Sequence, residues 1–69
     1  MYEEYVGKKI QIEFVEESRL YGKCISGLAV DYLLADEDEK QTENEILIES
    51  VGILAAIRES EVGAITLIK

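Results

Sequence analysis

The chain has 69 residues, of which fifteen are acidic and seven basic, for a net charge of −8, and it contains no histidine and no proline. One domain is the ceiling at this length. A core of this size supplies only about 3–5 kcal/mol, so natural chains as short as this add disulfides, a metal or partner subunits. A lone cysteine, Cys24, excludes an internal disulfide, and without histidine a zinc ion lacks its usual ligands.

A hydrophobic content of 48% argues against disorder. No apolar run approaches the roughly 20 residues needed to span a bilayer. The start, Met1-Tyr2-Glu3-Glu4, lacks the charged-then-apolar layout of a signal peptide. The lone thiol fits a reducing compartment, so the expected location is cytoplasmic. An acidic globule is repelled by nucleic acid and by anionic membranes. Neither DNA nor membrane is therefore expected as a partner, and copies of the chain itself are the expected supplement to the small core.

In chain order, Tyr2–Val6 is expected as one helical turn, with Glu3 and Glu4 at the end that favours negative charge. Lys8–Val15 alternates, with Ile10, Ile12 and Phe14 on one face and Lys9, Gln11 and Glu13 on the other, the signature of a half-buried strand. Glu16-Glu17-Ser18 is short enough for a hairpin turn. Arg19–Ser26 is the expected return strand, with Gly22 inside it as the structural glycine of a bulge or bend. Ser26-Gly27 offers a second turn, and Leu28–Ala35 is an apolar run interrupted only by Asp31. Asp36–Asn44, with five acidic residues in nine, is expected as a solvated loop. Glu45–Glu49 and Ile53–Ile57 follow as strands joined by Ser50-Val51-Gly52, and Ala64–Ile68 is a last β-rich segment.

The sum is an all-β fold with one short N-terminal helix. The expected form is a small, strongly bent antiparallel barrel of five to six strands, because strands joined by short turns without crossover helices make antiparallel sheets. As a single domain over 1–69, it divides into a short helix at 1–7, a barrel at 8–58 and an extra C-terminal strand or tail at 59–69.

Three segments give this layout a resemblance to the Sm-like family of Sm, Lsm and Hfq proteins, over about residues 2–58. Gly22-Lys23-Cys24-Ile25 is similar to the glycine-basic-apolar stretch of that family's bent second strand. Asp31-Tyr32-Leu33-Leu34-Ala35-Asp36 is similar to the end of its first motif. Ile46-Leu47-Ile48, followed by Ile53-Leu54-Ala55-Ala56-Ile57, is similar to the strand–turn–strand of its second. The resemblance implies a ring of roughly five to seven copies in which each fourth strand pairs with a neighbour's fifth. It implies an oligomer interface drawn from Ile46, Leu47, Ile48, Ile53, Leu54, Ala55 and Ile57.

The departures bear on RNA. The family's base-binding Asp and Asn correspond here to Gly27 or Leu28 and to Asp31. Where other members carry Arg-Gly or Lys-His, this chain has Glu49, Ser50 and Val51, leaving no cation for a phosphate. The role expected from the resemblance is an oligomeric scaffold with protein partners. One alternative is an RNA-binding ring with a reduced site of Asp31, Ser50, Val51 and Gly52, with Tyr21 as a stacking platform for single-stranded RNA. Another is a different SH3-like barrel, such as a PRC-type adaptor.

Catalytic chemistry finds no constellation. Cys24 has no histidine to act as its base, and its apolar strand is expected to bury it as an inert thiol. Counting Asp36 as position one of a calcium loop puts Gln41 where glycine is needed and Leu47 where a bidentate Glu is needed. Paired carboxylates occur only in expected turns. No enzyme activity, cofactor or metal is therefore expected. Tyr32 is expected in the core with Val30 and Leu34, and Lys9 with Lys23 as a candidate basic strip.

Overall fold

A computed structural model describes residues 2–68. Met1 and Lys69, the outer limits of the expected terminal segments, lie outside it. The described chain is all-β: β1 (Lys9–Phe14), β2 (Cys24–Leu33), β3 (Glu45–Ser50), β4 (Ile53–Arg58) and β5 (Val62–Leu67), with single 3-10 turns at Glu3–Tyr5, Glu37–Glu39 and Glu59–Glu61. The strands form one antiparallel sheet in the order β4-β3-β2-β1-β5.

β1 follows its alternation. Ile10, Ile12 and Phe14 are buried, while Lys9 and Glu13 are exposed. With Ala29, Ile46, Ile48 and Val62, the two isoleucines form the core. The short N-terminal turn closes one side of it. Tyr2 meets Tyr5 at 6.3 Å and the Tyr32 ring edge-on at 6.1 Å, and Gly7 N–H donates to the Ala29 carbonyl at 2.7 Å.

Among the described residues five strands form, the lower of the expected five to six, because two expected strands are one. β2 runs ten residues straight through Ser26-Gly27, the expected turn. Gly27 is there for space: a Cβ on it would collide with the Glu49 carbonyl of β3. The first half of β2 pairs with β1 and the second half with β3. Between Ala29 and Asp31 two steps on β2 answer one on β3, so Val30 is a bulge residue. Such a bulge bends a strand and reverses which residues point inward. Ala29 and Tyr32 therefore both face the core, opposite Ile48 and Ile46. Leu34, expected beside Tyr32 in the core, lies past the strand end and is exposed.

Residues 15–23 form a loop of successive turns rather than a tight hairpin and a return strand. Gly22 belongs to this loop, with φ +90°, a left-handed backbone that glycine adopts without strain. The expected C-terminal extra strand is β5, an integral edge strand paired along β1, with its own bulge at Gly63.

Candidate functional site

β4 and β5 end the sheet, each paired on one side only among the described residues. Their open sides carry unpaired backbone groups, the usual templates for adding another strand. Each edge also exposes apolar side chains. On β4, Ile53 is 69% and Leu54 59% exposed, on opposite faces, and on β5 Leu67 is 52% exposed. Among the described residues, the fully buried large side chains are only Ile10, Ile12, Ile46 and Ile48.

The expected interface divides accordingly. Ile46 and Ile48 are not available to a partner: β3 is an interior strand and both are fully buried in the chain's own core. Ala55 and Ile57 are half-buried against that core, and Leu47 is half-buried on the outer face. Ile53 and Leu54 remain as the open part of β4.

A polar network fixes the far end of β4 and the start of β5. Tyr32 O–H donates to Glu59 at 3.0 Å, Asn44 Nδ2 donates to the Tyr32 hydroxyl at 2.9 Å, and Glu59 N–H donates to the Asn44 carbonyl at 2.9 Å. Asn44 Oδ1 also accepts from Ala35 N–H at 2.7 Å. Partial burial, and then the hydrogen bond to the Glu59 carboxylate, raise the Tyr32 phenol above its ordinary range. Ser60 donates through N–H and Oγ to the two Glu43 oxygens at 2.9 and 3.1 Å. These bonds, with the Arg58 charge adding to them, hold Glu43 below the usual carboxylate range. Ser18 Oγ donates to Glu61 at 2.8 Å, tying the 15–23 loop to the start of β5. No spacing signal in the sequence pairs Asn44 with Glu59 or Ser18 with Glu61.

The residues expected to meet RNA do not converge. Asp31 lies on the outer face of β2 opposite Leu47, its Oδ1 accepting from Tyr32 N–H. Ser50 ends β3, three residues along it from that rung, or about 10 Å, and Val51 and Gly52 form the turn to β4. Tyr21 is 60% exposed, as expected, but sits in the 15–23 loop, in a small hollow with Gln11, Glu13 and Lys23. Lys9 lies opposite Leu28, whereas Lys23 precedes Cys24 at the other end of the β1–β2 ladder, so the two form no strip.

Cys24 is exposed, not buried, because it begins β2 on the outer face with Ser26. The acidic segment is a capped turn. Asp36 Oδ1 accepts from Asp38 N–H at 2.9 Å, and Lys40 closes the turn with φ 60°. Among the described residues no three metal-ligating side chains gather, and no helix is long and apolar enough to cross a membrane.

No protein-family model, no curated protein and no solved structure matches this chain.

Proposed function

We propose that the chain is a self-associating module of the Sm-like kind, its sheet curled into a small barrel and its copies joined edge to edge in a ring of roughly five to seven. Its role is that of a scaffold presenting repeated surfaces to protein partners, not an enzyme. One observation carries this reading: both free edges of the sheet expose apolar side chains, Ile53 and Leu54 on β4 and Leu67 on β5.

Strand addition between copies satisfies both rows of unpaired backbone groups at once. Burying a Leu or Ile side chain contributes roughly 1.5–3 kcal/mol, which is comparable to the whole stability of so small a core. Five antiparallel strands after a single short turn fit the all-β fold expected from the sequence. The charge favours protein over RNA as partner, since −8 on each copy repels phosphate.

Leu54→Asp tests the reading by placing a charge on the edge without touching the core. Wild-type protein is expected at five to seven times its 7.8 kDa chain mass, and the variant at a smaller mass with its β-sheet circular dichroism kept. A wild-type mass of one chain, or a variant as large as the wild type, would refute it.

A further inference from the structure

Side-chain parity limits how β4 of one copy can meet β5 of the next. On β4 the inward residues are Ile53, Ala55 and Ile57, and the outward ones Leu54, Ala56 and Arg58. On β5 the inward residues include Ile65 and Leu67, opposite Ile12 and Ile10, and the outward ones Ala64 and Thr66. Both strands are six residues long. An antiparallel pairing sets Ile53 opposite Leu67 of the next copy and Ala55 opposite Ile65; matching faces past the Gly63 bulge then sets Ile57 opposite Val62 and Arg58 opposite Glu61. A slip of one residue would place Ile53 and Leu67 on opposite faces and leave both wet.

This register has an electrostatic consequence. The chain's two arginines, Arg19 and Arg58, line one cleft of about 1140 Å³ together with Val15, Leu20, Ala56 and the chain's own Glu17 and Glu61. Neither arginine makes an ion pair among the described residues. Glu43, whose acidity Arg58 affects, has both oxygens engaged by Ser60. Antiparallel pairing carries Glu61 of the next copy, one residue before Val62, to the side of Arg58. Parallel pairing would carry it instead to the Val51-Gly52 turn, at the other end of β4, away from Arg58. Where acidic copies otherwise repel, opposite charges then meet at one end of the contact.

The geometry points to Arg58, with Arg19 beside it, as a clamp for Glu61 of a neighbouring copy; the clamp sets the direction and register of the contact and rests on the self-association proposed above. Rim charges of this kind govern specificity, because a like-charged pair at the same place is repulsive.

The test is complementation between chains. Arg58→Glu and Glu61→Arg are each expected to raise the dissociation constant of the assembly about tenfold or more. Mixed together, the two variants are expected to form hetero-assemblies by native mass spectrometry. An interaction within one chain cannot give that rescue. Ser18→Ala, which removes the internal bond to Glu61 without reversing charge, is expected to assemble as the wild type does. Circular dichroism confirms that each variant is folded; if Arg58→Glu is not, Arg58→Gln takes its place and is expected to weaken assembly by a smaller factor. Charge-reversed copies that assemble like the wild type, or folded variants that do not combine, overturn the clamp while leaving self-association intact. A wild type that stays at one chain mass overturns both.

Discussion

Val51 occupies a backbone conformation that its side chain resists. With φ 51° at Val51 and 77° at Gly52, both central residues of the β3–β4 turn are left-handed, as a type I′ hairpin requires. Glycine accepts this freely, whereas a β-branched residue is an outlier there. The side chain is also 96% exposed, so nothing within the chain offsets the strain. Val51→Asn is therefore expected to raise stability by about 1 kcal/mol, read from denaturant midpoints; no gain would show that the left-handed valine carries no strain that asparagine relieves. Tyr32 works in the opposite direction, because its hydroxyl joins Glu59 and Asn44. Tyr32→Phe leaves both half-buried partners short of a bond and is expected to lower the melting temperature by roughly 5 °C. The raised Tyr32 pKa also fixes a sign. Its contribution is complete below the unfolded phenol's pKa and is lost as pH rises through the folded value. The wild type is thus expected to lose stability above about pH 10 more steeply than Tyr32→Phe does, and parallel alkaline limbs would remove this role. Glu43 has the reverse sign: its lowered pKa gives a contribution present at neutral pH and lost as pH falls through the folded value.

β2 shows where an element departs from its local signals. Ser26-Gly27 has the composition of a turn, yet the strand passes through because Gly27 lies against the Glu49 carbonyl. Gly27→Ala is expected to cost roughly 2–3 kcal/mol by pushing β2 and β3 apart, and a denaturation midpoint close to the wild type's would show that the strands yield easily. The alternation of β1 was legible because its pattern is purely local, and so were β3, β4 and the acidic turn. The merging of two expected strands was not, since close approach to Glu49 is a tertiary fact. Nor was the inward turn of both Ala29 and Tyr32, because the Val30 bulge breaks the period of two on which such inference depends. The exposure of Cys24 follows from the same cause: the face of a residue depends on a register that is set elsewhere in the sheet. At the candidate site, Ile53 and Leu54 were legible as apolar residues on both faces of one strand, whereas Ile46 and Ile48 looked equivalent until strand order placed β3 inside. The Tyr32, Asn44 and Glu59 network joins three elements and has no linear signature.

For the whole molecule, the balance lies between a small core and a large charge. Among the described residues four large side chains are fully buried, and −8 resists bringing copies together. In the proposed assembly, two open edges with apolar residues offset that repulsion by covering one another. On the strand edges, open backbone groups and exposed apolar side chains lie together, and the proposed self-association rests on that coincidence. Amide hydrogen exchange reads this coverage directly, because the β4 and β5 amides not bonded to β3 or β1 are open in a single chain and protected only when another strand adds. Measured at about 1 µM and about 1 mM chain, exchange at 53–58 and 62–67 is expected to slow at the higher concentration while that of β1 is unchanged; identical rates at both edges across that range, at the mass of one chain, would contradict the account.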